Sequence, residues 1–365
     1  MLFLVVMKIR KQLILIGFLL LFSFLIHLFS TNHLRVEQYF SSDFYIIFSK
    51  LLRFLFGWIP FSIGDILYGL VFLWLIAKLI KAIKTVVAKK FHYKDILPVL
   101  LSGLGKMLIV YILFNFFWGI NYNRIGIAGQ LNLSIEKYSI SELKNLNQIL
   151  LQKVNTSNQL LLEKPRDVLS SKDLFQKSNN AYQEVNKRFV FLQYFPASIK
   201  TSMWGWLGNY ISFSGYYNPF TGESQVNTNI PNFLQPYTNC HEIAHQLGYA
   251  KESEANFVGY LAATASKDES FHYSAYLDLF LYANNNLYAT DTAAARSYAK
   301  QLSPDIITDL KAWRKFSMQH KNPVEPLLRW IYGKFLENNQ QPSGLLSYDE
   351  VTGFMIAYYK KFGSL

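Results

Sequence analysis

Cysteine is nearly absent from this chain: Cys240 stands alone among 365 residues. A single thiol excludes an intramolecular disulfide and a four-cysteine zinc site, so any bound metal must rest on histidine and carboxylate. Histidine is scarce too, at seven residues, and acids are outnumbered, with 24 Asp and Glu against 36 Lys and Arg. The resulting charge of +12 raises nucleic acid as a partner. However, many of the basic residues flank apolar runs. Lys8, Arg10 and Lys11 precede the first run, and Lys78, Lys81, Lys84, Lys89, Lys90 and Lys94 lie between the second and third. That is the distribution of cytoplasmic loops in a membrane protein, and no nucleic-acid partner is expected. Internal repeats and long low-complexity tracts are also missing.

What the chain does have is apolar length. Hydrophobic residues make up 51% of it, concentrated in the first third. Gln12 to Ser30 is uncharged and long enough to cross a bilayer as a helix. No small-x-small cleavage site follows it, so a retained span is expected rather than a removed signal peptide. Ile63 to Ile80 and Leu97 to Ile120 are the second and third expected spans, the latter with Lys106 near enough to one end to snorkel. Between the first two, residues 44–62 are apolar but broken by Lys50, Arg53 and Pro60, which reads as an interfacial or re-entrant segment. The basic N-terminus and second loop imply three passes of the cytoplasmic membrane, N-terminus inside and everything from about residue 121 outside. The expected division is therefore a membrane domain, 1–120, and an extracytoplasmic domain, 121–365.

The second domain reads as mostly α with a small β-hairpin or sheet. Helical spacing covers "SISELKNLNQILLQKVNTSNQLLLE", with Ser139 or Ser141 as cap, and "DLFQKSNNAYQEVNKRFVFL". Alternating apolar residues around "NPFTGE" predict a hairpin turning at Pro219–Gly222. Helix then dominates to the C-terminus.

The chemistry concentrates in "NCHEIAHQLGYAKESEANFVGYL". His241 and His245 are four apart, so on a helix their rings leave the same face one turn apart and can reach one tetrahedral metal. Glu242 would sit beside that metal, placed to take a proton from its water. The plain alternative is an amphipathic helix with two incidental histidines. Gly248 suits a left-handed helix end, and a second helix is expected from Lys251. On it Glu252 is the expected third ligand, with Glu254 on another face as its rival. Asn256, one turn on from Glu252, is expected to orient a histidine from behind. Ala255, Gly259 and Ala262 form a strip of small residues that lets two helices approach closely. Cys240 reads as a small buried residue, since a nucleophilic thiol needs a histidine across from it rather than next to it. His272 and His320 lack ligand spacing.

The segment resembles the gluzincin class of zinc metallopeptidases, in which an E-x-x-x-[D/N] helix follows H-E-x-x-H and its glutamate binds the metal. Glu252, Ala255, Asn256 and Phe257 match that form. It is similar to helices of membrane-embedded prenyl-protein proteases and of small peptidases that cut repressors. The whole chain resembles an uncharacterised bacterial family of three-span membrane proteins with an external domain of this kind, through "YYNPFTGESQVN" and "SYDEVTGFMIAYY". The resemblance implies a zincin-like domain holding one Zn2+. It departs in the link from His245 to Glu252, six residues long and shorter than in most of the class.

The expected activity is hydrolysis of peptide bonds outside the membrane. Gly222, Glu223, Ser224, Gln225, Val226 and Asn227 are the expected edge to which an extended substrate adds. Tyr348 is a candidate for stabilising the oxyanion. Two other readings stay open: a binding or structural envelope protein with a vestigial or structural metal, and a zinc amidase acting on cell-wall material.

Overall fold

The computed structural model describes residues 2–88, 96–163 and 169–365. Lys89, Lys90 and Lys94, half of the basic second loop, lie outside the described residues. The fold is mostly helical with one three-stranded sheet, and the chain divides into two compact units: 1–45 with 63–124, and 46–62 with 125–365.

The first unit contains α1 (Leu2–Ser30), α2 (His33–Arg35), a π-helical stretch (Val36–Phe44), α4 (Ile63–Val87), α5 (Ile96–Phe117) and a 3-10 turn (Gly119–Asn123). Three helices are long and apolar enough to cross a membrane: Ile9–Ser30, Ile63–Val87 and Ile96–Phe117. The third ends at Phe117, short of the expected residue 120, because the backbone tightens into the 3-10 turn. Its residues meet the π-helical stretch, where Ser41 donates to Asn121 at 2.8 Å and Arg124 grips Glu37 at 2.7 Å.

The second unit takes in a piece of chain from far upstream. Its first element, α3 (Tyr45–Phe56), covers most of the segment expected to be interfacial. Arg53, only 2% exposed, donates to the carbonyls of Pro196 at 2.9 Å and Gln246 at 3.3 Å. Lys200 donates to the carbonyls of Gly57 and Ile59. By packing, the long C-terminal stretch begins at 125, and 46–62 groups with it rather than with the apolar helices on either side.

The rest of the unit runs α6 (Gly126–Gln130), α7 (Ile140–Leu162), α8 (Ser171–Asn186), β1 (Ile199–Thr201), α9 (Gly205–Ile211), β2 (Gly215–Asn218), β3 (Glu223–Val226), α10 (Gln235–Gln246), α11 (Glu252–Ala265), α12 (Glu269–Thr290), α13 (Thr292–Ala299), α14 (Pro304–His320), α15 (Glu325–Asn338) and α16 (Val351–Phe362). Ser139 caps α7 in a reciprocal box with Glu142. The hairpin turns where expected. Asn218 accepts from the backbone of Phe220 and Gly222, and Gly222 takes φ +65. One core runs through the unit, with α12 against α7 and α10, and α11 against α8, α10 and α16.

The sheet order is β1-β3-β2, with β1 parallel and β2 antiparallel to β3. This corrects the expected substrate edge. Glu223 to Val226 form the central strand, paired on both sides and buried at every position, so Gly222 to Asn227 offer no edge to a further strand. Alternation in a hairpin cannot say which strand a distant segment will cover; here β1, 22 residues upstream of β3, does so.

Candidate metal centre

Two helices meeting at van der Waals distance build the site. On α10 every residue from Asn239 to Gln246 is buried. On α11 every residue from Glu252 to Ala263 is buried. The small strip explains the closeness: a Cβ on Gly259 would lie 3.0 Å from the His241 nitrogen and 3.1 Å from its Cα. The face of α10 under the sheet is polar. Gln246 donates to the carbonyls of Ser198 and Gly222, and Gln235 to those of Thr228 and Ile230. These contacts fix the rotation of α10 and so the direction of its histidines.

The helix ends where expected. Gly248 adopts φ +87, and the Tyr249 amide returns to the Ala244 carbonyl at 3.2 Å. That reversal has a second use. The Tyr249 carbonyl lies 2.7 Å from His245 Nδ1, which settles Nδ1 as the donor and turns Nε2 inward. The six-residue link therefore both folds the chain back and orients a histidine.

Glu252 closes the group. Its Oε2 lies 3.2 Å from His241 Nε2 and 3.5 Å from His245 Nε2, and one ligand atom from each residue falls within 4.8 Å of the others. Burial would raise Glu252, but His245 and His241 outweigh it and hold the carboxyl well below the usual range. The reciprocal effect lifts His245 to about 9 despite its own burial. Apart from these two histidine nitrogens, Glu252 Oε2 has no polar partner among the described residues, so the three side chains converge on one point. Two imidazole nitrogens and one carboxylate oxygen suit Zn2+ with one position left open.

Glu242 lies beside this point, at the outer strand. A Cβ on Gly215, the first residue of β2, would come 2.6 Å from Glu242 Oε1, so glycine lets the strand approach the carboxylate. Burial pushes Glu242 up to about 7; the two histidines pull it back in part and Glu252 adds to the rise. Its Oε2 is buried with no hydrogen-bond partner among the described residues.

The other expected residues fall as follows. Tyr348 reaches the site: its ring stacks on His241, centroids 6.3 Å apart and planes 15° apart. Glu254 turns away from the histidines and lies against Gly126, where a Cβ would strike its carboxylate. Asn256 does not hold a histidine; its amide donates to the Tyr348 carbonyl at 3.3 Å and so supports that turn. Cys240 is buried, and burial pushes its thiol up. His272 and His320 bond to nearby backbone carbonyls away from the site.

Three residues escaped the sequence. Tyr332 on α15 donates to Glu252 Oε1 at 2.7 Å and lies 3.3 Å from the Tyr348 hydroxyl. Nothing in the sequence sets it apart among 24 tyrosines. Asp278 lies on α12 one turn beyond Ser274, whose hydroxyl accepts the Tyr237 amide, so it runs beside α10 at the level of His241. Burial raises it to about 6 and His241 partly offsets that. Its signal was legible, a single acid inside the apolar run "YLDLFLY". Gly215 is the third.

A mostly helical chain with three potential spans and a buried His–His–Glu convergence is the class that fold and site define. The chain belongs to a family described as protein of unknown function (DUF3810), whose model matches residues 40–356. No curated protein and no solved structure matches it.

Proposed function

We propose that the protein is a membrane-anchored zinc metallopeptidase of gluzincin type, with a zincin-like catalytic unit outside the cytoplasmic membrane and its N-terminus inside. The observation that carries this reading is the convergence of His241 Nε2, His245 Nε2 and Glu252 Oε2 next to the carboxylate of Glu242. A purely structural metal has no use for Glu242 beside β2, which weighs against the binding-protein reading.

In this proposal His241, His245 and Glu252 hold Zn2+, which when bound supplies a Lewis acid for water and for the scissile carbonyl. Glu242, lifted toward neutrality by burial, accepts a proton from the attacking water and passes it to the leaving amine. Tyr348, its hydroxyl kept protonated by burial, is the donor toward the developing oxyanion. The substrate runs along β2, the outer strand at Glu242, in place of the β3 segment expected from sequence.

The test uses the full chain purified in detergent. Near-stoichiometric zinc is expected, together with cleavage of a peptide library. Glu242→Gln should retain the zinc and lose at least about 100-fold in rate. A folded parent without zinc overturns the proposal. Equal rates for parent and Glu242→Gln would remove its catalytic half and leave a binding protein.

A further inference from the structure

The helix α3 has one buried side that carries polar groups and, opposite it, an apolar side that its own unit leaves exposed. Ser49, Leu52 and Arg53 face inward and are buried. Ile47, Leu51 and Phe54, at i, i+4 and i+7, form a second stripe facing outward, and Trp58 continues it beyond the helix end. Ile47 is 67% exposed, Phe54 70% and Trp58 78%. Across a groove of about 340 Å³ from Leu51 and Phe54 lies Phe195, also 70% exposed, with Lys50 and Gln193 at the rim. An apolar stripe this continuous is not left to water without a reason.

We propose that this face lies in the surface of a lipid bilayer, at the boundary of headgroups and acyl chains. Covalent continuity argues for that occupant. Ser62 ends the segment, and the next residue, Ile63, begins a 25-residue helix apolar enough to cross a membrane. The composition agrees. Residues 46–62 hold no acid; Lys50 and Arg53 are their only charges, and Arg53 is turned inward. Exposed Phe and Trp with a flanking lysine is the pattern of a helix that lies on a membrane.

The face is coupled to the candidate site through short paths inside its own unit. Arg53 donates to the carbonyl of Gln246, the last residue of α10, and Leu52 is in contact range of Gly222 at the β2–β3 turn. Ser62 donates its hydroxyl to the side-chain oxygen of Gln225 on β3 at 2.9 Å. A leaflet that holds α3 therefore holds the end of the helix carrying both histidines. The inference does not depend on the peptidase reading, since lipid contact requires no metal.

The test is accessibility in the full chain reconstituted into phosphatidylcholine vesicles. Spin labels go on Ile47→Cys, Phe54→Cys and Trp58→Cys, with Lys300→Cys, exposed on the same unit, as the aqueous control. Cys240 is fully buried, and an unlabelled parent confirms that it stays silent. Labels at 47, 54 and 58 are expected to collide with oxygen readily and to be at least fivefold less accessible to a water-soluble nickel chelate than the label at 300. Equal chelate accessibility at all four positions overturns the proposal. Shielding of 47, 54 and 58 from oxygen and chelate alike also overturns it, because a protein surface would then be the occupant. Because all three positions are exposed, each variant should unfold at the parental temperature, and any one that does not is replaced by its neighbour on the stripe.

Discussion

The two carboxylate oxygens of Glu252 belong to two differently built regions. Oε2 faces the histidines of α10 across an interface where every residue from Asn239 to Gln246 and from Glu252 to Ala263 is buried. Oε1 is held by Tyr332 from α15, a helix with only Gly333 and Leu336 buried. One oxygen is fixed by a close-packed core, in which a methylene out of place is felt throughout; the other is fixed by one hydroxyl on a mostly solvated helix. The difference teaches that one face of the carboxylate is set by packing and the other by a single contact from a mostly exposed helix. If the proposed zinc site holds, the α10–α11 side would decide whether the metal is bound and the α15 side would tune how tightly.

The comparison is broken most severely at Gly259. Gly259→Leu would drive a side chain into the His241 backbone, and we expect a loss of about 3 kcal/mol in stability together with the bound zinc. Thermal unfolding and metal content of the full chain check this. A variant of parental stability would mean that the helices are not in contact there. Arg53→Ala comes next. It strips charged donors from the carbonyls of Pro196 and Gln246 at a cost of about 2 kcal/mol. Zinc should remain in the folded fraction, because no ligand is touched. The smallest effect is on the exposed wall. Tyr332→Phe should leave the unfolding temperature unchanged and weaken zinc about tenfold, as read by competition with a chelator. A large drop in stability there would erase the contrast between the two regions.

Much of the arrangement was legible in the sequence, for reasons specific to each part. Long apolar runs need no tertiary information, and all three appear as helices of sufficient length. His241, Glu242 and His245 share one turn of helix, so their juxtaposition is local, and Gly248 marks the reversal that returns Glu252 to them. Contacts made across the fold were hidden. The partner of β3 was one such contact, because β1 is a three-residue strand with no distinctive alternation. Tyr332 was another, reaching Glu252 from 80 residues downstream. Arg53 was the third. Its charge read as a break in an apolar segment, whereas it is a buried donor to carbonyls 143 and 193 residues away. Asn256 shows the limit of helical spacing. Its position beside Glu252 was right, but its amide serves Tyr348 and not a histidine.

The position of residues 46–62 bears on what a single backbone cut can separate. Proteolytic shedding of a membrane-tethered domain ordinarily needs one cut in the stalk between the last span and the domain. Here a cut near 124/125 would free residues 125–365 only in name. The strip from Ile46 to Ser62 is covalently joined to the first unit at both ends while it clamps Pro196, Lys200, Gln225 and Gln246. A fragment torn loose would leave its own clamp behind, so that single cut cannot release residues 125–365 with their packing intact.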